Sequence, residues 1–235
     1  MYKHIPVSVF DVKGVGSKGI RGNHKFGDGT SSRSRFSPFN LDVCEFIVEY
    51  FLENKNVIVD PFAGWGERGY ICNKYNKMYY GVDISPKAIK YAQENFGVNN
   101  ILGDSREEEV IEHDGLISCP PYWDLEKYDG EKNLCKNKSW ISFIQDYENI
   151  FKKYVEKAEK GAIYCLVVGD WRFNKTYHNL SFETQRIMQK LGMTLKDKVI
   201  LNQKKNTNYR IFLPQCRRHK YTAKVHQYLL VFQKC

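Results

Sequence analysis

Four short stretches carry residue types that could do chemistry together. In Val57-Ile58-Val59-Asp60-Pro61-Phe62-Ala63-Gly64-Trp65-Gly66 an apolar run ends in an acid, and a Gly-x-Gly turn follows. Glycines let a backbone approach a ligand closely, and open α/β sheets take ligands at the carboxyl ends of their strands. A second run, Tyr80-Gly81-Val82-Asp83, ends in an acid placed to accept hydrogen bonds from ribose hydroxyls. In Leu102-Gly103-Asp104-Ser105 a third acid follows, to which an adenine amino group could donate. One acid after a strand is ordinarily a solvent-facing turn residue. Three in register after three successive strands point to a nucleoside site. The fourth stretch is Ser118-Cys119-Pro120-Pro121-Tyr122-Trp123. Two prolines stiffen the backbone and offer no donor, which leaves carbonyls free. Such a carbonyl beside a polar side chain can accept both hydrogens of an exocyclic amine, and Tyr122 could stack on an extracted base. The glycines alone also fit Gly-x-Gly-x-x-Gly through Gly69, so a nicotinamide enzyme stands as the minor alternative.

The elements that must position these residues follow from hydrophobic periodicity. Val43, Cys44, Ile47, Tyr50 and Phe51 have helical spacing within 41–53. Val57–Val59, Tyr79–Val82, Ile101–Leu102 and Gly115–Ser118 read as four buried parallel strands. A helix is expected over 67–75, and Ser85-Pro86 caps another that runs to Asn95. Ser139 opens a long amphipathic helix with Trp140, Phe143, Ile144, Tyr147, Ile150, Phe151, Tyr154 and Val155 on one face. Ala162–Val168 is an apolar strand, 180–191 a helix, and 194–201 and 226–232 the last strands. Alternating strands and helices predict a mostly parallel sheet covered on both faces, closed by an antiparallel hairpin at one edge. Residues 1–35 differ: Gly14, Gly16, Gly19, Gly22, Gly27 and Gly29 are interspersed with Lys3, Lys13, Lys18, Arg21, Lys25, Arg33 and Arg35. They read as a basic Gly/Ser-rich arm before a catalytic domain at 36–235.

The chain has 235 residues, 42% of them apolar and 27% charged, with a net charge of +9. That length suits one large domain, and the charge suits a polyanionic partner. No run of about 18 apolar residues occurs, and the first residues lack a secretory stretch, so no membrane contact and a cytoplasmic location are expected. Seven cysteines without a Cys-x-x-Cys pair argue against a disulfide framework or a metal site.

Asp60-Pro61-Phe62-Ala63-Gly64-Trp65-Gly66 resembles the Asp-Pro-Phe-x-Gly-x-Gly signature of amino-group DNA methyltransferases. Cys119-Pro120-Pro121-Tyr122-Trp123 resembles their (Asp/Asn/Ser)-Pro-Pro-(Tyr/Phe) motif, in particular the form found in cytosine-4-amino enzymes. Residues 36–235 as a whole look like small phage- or prophage-type DNA methylases, through Cys119–Tyr128, Val168–Arg172 and His226–Phe232. The resemblance implies a Rossmann-like, mostly parallel seven-stranded α/β fold with an antiparallel C-terminal hairpin. It implies S-adenosylmethionine as cofactor, with S-adenosylhomocysteine as product and no metal. The implied cofactor residues are Asp60, Pro61, Phe62, Ala63, Gly64, Gly66, Asp83, Ile84, Asp104 and Ser105. Phe39, in Ser37-Pro38-Phe39-Asn40, joins them as a contact for the methionine part. The implied catalytic residues are Cys119, Pro120, Pro121 and Tyr122.

The implied partner is double-stranded DNA with a flipped target base, cytosine ahead of adenine. No large insertion supplies a recognition domain. Recognition therefore falls to short loops, the arm, a second copy or a separate partner. Candidate loops are Asp124–Lys138 and Gln203–Lys224. Expected nucleic-acid contacts are Trp123, Arg172, Lys204, Lys205, Arg210, Arg217, Arg218 and Lys220, with Tyr209, Phe212 and Tyr221 interleaved for stacking. A mutual salt bridge between Asp170 and Arg172 is the equal alternative for that pair. Cys119 departs from the motif, because a thiol is a weak hydrogen-bond partner. Three alternatives follow: a nucleophilic Cys119, methylation of RNA or protein glutamine, and a catalytically degenerate DNA-binding subunit.

Overall fold

The computed structural model describes residues 6–13, 39–123, 134, 139–173, 176–205 and 207–235. The arm from Gly14 to Arg35, the Ser37-Pro38 step and all of the 124–138 loop but Leu134 lie outside the described residues.

Strands form where short apolar runs are bounded by turn residues. They are β1 (Val9–Asp11), β2 (Val57–Asp60), β3 (Met78–Asp83), β4 (Ile101–Leu102), β5 (His113–Ser118), β6 (Ala158–Val168), β7 (Trp171–Phe173), β8 (Thr176–His178), β9 (Met193–Asn202) and β10 (His226–Lys234). The helices are α1 (Leu41–Phe46), α2 (Glu67–Lys74), α3 (Pro86–Phe96), α4 (Trp140–Lys157), α5 (Leu180–Lys190) and α6 (Leu213–His219). A π-helical turn extends α1 over Ile47–Phe51, and a 3₁₀ turn over Tyr209–Phe212 leads into α6. Caps set several starts: Asn40 for α1, Ser85 for α3, and a reciprocal Ser139/Ser142 capping box for α4. Among the described residues no helix is long and apolar enough to cross a membrane.

One sheet runs in the order β1-β9-β10-β6-β5-β2-β3-β4, and β7 and β8 form a separate two-stranded ribbon. Strands β6, β5, β2, β3 and β4 are mutually parallel, while β10 lies antiparallel between β6 and β9. Among the described residues the sheet therefore has eight strands where seven were expected. The addition is β1, whose Val9–Asp11 pairs in parallel with Ile200–Asn202. It falls inside the segment read as an arm, because three residues are too few to show a period. Two further expectations need correction. The closing pair is not at an edge, since β1 covers β9. The basic segment between β9 and β10 also holds a helix, α6, whose first turn carries Pro214.

Side chains alternate across β6. Ala162, Tyr164, Leu166 and Val168 face a core built with Phe143, Tyr147 and Phe151 of α4 and Ile187 and Met188 of α5. Ile163, Cys165 and Val167 face a second core with Val43, Cys44 and Phe46 of α1 and Ile71 and Cys72 of α2. That period of two is what a strand buried on both faces requires. With both faces sealed, the carboxyl edge of the parallel strands is the open rim.

Candidate functional site

The turn after β2 is built from opposite-handed backbone. Gly64 and Gly66 have φ of 59° and 99°. A Cβ at Gly66 would lie 2.7 Å from Ala92 Cβ, so only glycine lets α2 start this close to α3. Ala63 N–H donates to the Val82 carbonyl at 2.8 Å, which fastens the turn to the end of β3. The Asp83 carboxylate accepts from Gly64 N–H at 2.7 Å and from Ser85 N–H at 2.9 Å. Burial raises its pKa above the ordinary value, and those two backbone donors oppose the shift. Asp83 and Ile84 are half-buried.

Asp60 plays a different part from an open acid. Its side chain is 0% exposed. It accepts from Phe62 N–H at 3.0 Å, Arg68 Nε at 2.6 Å, Tyr79 Oη at 2.8 Å and Ser118 Oγ at 2.6 Å. Arg68 also donates to the Phe62 carbonyl and lies 4.8 Å over the Phe39 ring. Burial opposes the Arg68 charge, yet Asp60 outweighs it and holds the guanidinium above its usual range. The acid expected to face a ligand is thus spent inside the protein. Phe39, also buried, supports Arg68.

The third acid is likewise engaged. Asp104 accepts from Arg106 Nη2 at 2.7 Å and Nε at 3.0 Å, and Arg106 reaches Asp146 at 3.0 Å. Ser105 Oγ donates to the Pro61 carbonyl at 2.5 Å, tying the β4 loop to the glycine turn. Pro61, Phe62, Ala63, Gly64, Gly66, Asp83, Asp104 and Ser105 thus gather at the ends of β2, β3 and β4.

The diproline corner stands at the end of β5, beside β2 in the sheet. Cys119 and Pro121 are half-buried, and Pro120 is buried. Tyr122 departs from expectation. Its ring is 8% exposed and packs edge-on against Trp171 at 5.4 Å, and its hydroxyl accepts from Gln227 Nε2 at 2.6 Å. A buried ring is not an open stacking platform, so that reading is corrected. Gly169 lies where a Cβ would come 3.2 Å from the Tyr122 hydroxyl, which explains its small residue. Trp123, half-buried, contacts Trp140 and His178, and Trp171 lies against both. This aromatic wall gathers from α4, β7 and β8. Sequence reading missed Trp140, Trp171 and His178 as site neighbours because they are far apart in the chain.

The expected basic contacts divide. Lys204, Lys205, Arg210, Arg217, Arg218 and Lys220 are all exposed between β9 and β10. Arg172 is half-buried, with its Cζ 5.0 Å from the Tyr177 ring and 4.4 Å from the Tyr221 ring. It makes no salt bridge to Asp170, which instead accepts from Tyr177 Oη at 3.0 Å and Ser181 N–H at 2.9 Å.

A family model described as DNA methylase matches residues 15–94. Over 72 residues the chain is 39% identical to tRNA (guanine(37)-N(1))-methyltransferase Trm5b of Pyrococcus abyssi, covering 28% of this chain and 22% of that protein. The match thus spans about a fifth of that relative. TrmN from Thermus thermophilus superposes with a TM-score of 0.55 at 13% identity, over 84% of this chain and 49% of that one. Magnesium protoporphyrin IX methyltransferase from Synechocystis PCC 6803, solved with bound S-adenosylmethionine, gives 0.53 at 11% identity, over 83% and 79%. The chain has the Rossmann-like fold of S-adenosylmethionine-dependent methyltransferases.

Proposed function

We propose that this protein transfers a methyl group from S-adenosylmethionine to an exocyclic amino group of a DNA base, cytosine ahead of adenine. One observation carries the reading. Parallel β2 and β5 bring the Gly64–Gly66 turn and the Cys119-Pro120-Pro121 corner to the same rim, and the Ser118–Asp60 hydrogen bond joins them.

The residues present fit the cofactor. Asp83 keeps acceptor capacity for ribose hydroxyls, because each oxygen has taken only one backbone donor. The glycine turn leaves backbone accessible where a side chain would intrude. When bound, the cofactor supplies an electrophilic methyl group. The chain's own contribution is positioning and exclusion of water. The Pro120 and Cys119 carbonyls and the Cys119 thiol hold the amine, and the aromatic wall around Trp123 encloses the base. DNA is supported by the methylase model over residues 15–94 and by the +9 charge. The basic rim from Lys204 to Lys220 supplies phosphate contacts. RNA is the second reading, favoured by the local identity to a tRNA methyltransferase.

The test is methyl transfer from labelled S-adenosylmethionine to DNA and, separately, to RNA, followed by nucleoside analysis. Label in N4-methylcytosine or N6-methyladenine of DNA supports the proposal. Label in RNA alone transfers it to the second reading, and label on a ring carbon rejects amino chemistry.

A further inference from the structure

A column of planar and cationic groups stands on the rim beyond β6 and β10. The His219 ring stacks on Tyr221, with centroids 6.0 Å apart and planes 8° apart. Arg172 Cζ lies 4.4 Å from the Tyr221 ring and 5.0 Å from the Tyr177 ring. Lys224 Nζ lies 4.4 Å from the Tyr177 ring and donates to its hydroxyl at 2.7 Å. From Tyr221 inward, rings alternate with cations, each attracting the next through the ring quadrupole. Arg172 is tethered further by donation to the Thr222 carbonyl at 3.3 Å. The inner end is anchored by Asp170, two residues past β6. The outer end, His219, is exposed.

Arg217, Arg218 and Lys220 flank His219 in the chain, at the last turn and cap of α6, all exposed and without an acidic partner among the described residues. Lys220 adopts φ of 55°, a left-handed cap that non-glycine residues seldom take. That turn folds Tyr221 back beneath His219. An exposed ring backed by a second ring, in a turn rich in exposed cations, matches an unpaired nucleotide, with base on ring and phosphates on cations.

We propose that the outer face of His219 is a stacking site for an unpaired base of the DNA strand, next to the target nucleotide. The proposal rests on the DNA reading above and deepens it. Tyr221, Arg172 and Tyr177 act as the support that keeps the His219 face in place. Arg217, Arg218 and Lys220 hold the flanking phosphates.

The experiment measures binding by fluorescence anisotropy with two labelled single strands of about 12 nucleotides, within the site size of such surfaces. One is a thymidine oligomer, and the other has the same phosphates but abasic sugars. The wild type binds the thymidine oligomer more tightly. His219→Ala weakens that binding about 5- to 10-fold, as expected for one lost base stack, and leaves the abasic oligomer unchanged. His219→Phe restores it. Arg218→Gln weakens both strands alike and flattens the salt dependence. His219→Ala acting equally on both strands, or on neither, overturns the stacking site alone. A wild type that binds neither strand also overturns the stacking site, and methyl transfer to duplex DNA by the same protein decides separately whether the DNA reading stands.

Discussion

Ser118 Oγ donates to Asp60 Oδ1 at 2.6 Å, with both side chains fully buried. The bond crosses from the end of β5 to the end of β2. One partner leads directly into the diproline corner, and the other leads into the glycine turn.

Removing that hydroxyl loosens the spacing between the corners while leaving each corner intact. Ser118→Ala is expected to lower kcat about 10- to 100-fold, since misplacement of reacting groups by an ångström costs about that much. Calorimetric affinity for S-adenosylmethionine stays within about twofold, because no cofactor contact is lost. Ser118→Thr, which keeps a hydroxyl, restores most of the rate. An alanine variant that loses cofactor affinity and melting temperature together would show the bond to be merely structural.

Asp83 should make cofactor binding sensitive to acid. Burial raises its pKa, so protonation begins at a higher pH than for an ordinary carboxylate. The ionised form accepts ribose hydroxyls, and affinity therefore falls as pH drops through that raised pKa. Asp83→Asn weakens binding by about 2 kcal/mol, roughly 30-fold in Kd, and removes the acid limb. Titration calorimetry across pH checks both, and a variant with the wild-type pH profile would place the effect elsewhere.

In the proposed reaction Cys119 is a hydrogen-bonding neighbour of the amine and not a nucleophile. Cys119→Ala should keep turnover within about tenfold, whereas loss of a covalent nucleophile costs on the order of 10⁴-fold or more. Single-turnover rates of methyl transfer to the unmethylated substrate decide between them.

His113 should couple stability to pH. It is fully buried, with Nε2 2.6 Å from Tyr164 Oη and Nδ1 2.8 Å from the Ile111 carbonyl. Burial lowers its pKa. The unfolded chain therefore takes the proton first as pH falls below about 6.5, and stability declines from there until the folded pKa is passed. Burial lowers His178 and His226 as well, and they add in the same direction. Thermal melts at about pH 7 and pH 5 should differ in the wild type, and His113→Gln should narrow the gap by its own share. Equal gaps in the two proteins would remove His113 from the account.

The corners were legible in the sequence because each is a local event. A short apolar run, an acid and a glycine or proline turn suffice to place Asp83 or Pro120 at a strand end. What each side chain meets there is not local. Asp60 reads as an exposed acid, and only the fold brings Arg68, Tyr79 and Ser118 onto it. Tyr122 reads as a free ring until Trp171 and Gln227, far along the chain, close over it. The β7–β8 ribbon and β1 escape periodicity because each strand has three residues.

The antiparallel course of β10 has one more consequence. Asn202 and His226 are directly opposed in register, so the chain leaves the sheet and re-enters it at the same point on the rim. Everything from 203 to 225 is an excursion whose two ends are clamped by pairing of β9 with β10. The stretch from Lys204 to Lys220 can therefore change without altering that pairing, whereas Tyr221, Thr222 and Lys224 hold Arg172 and Tyr177 of the β7–β8 ribbon. On the proposed DNA reading, a graft of residues 204–220 is the natural unit for retargeting the protein.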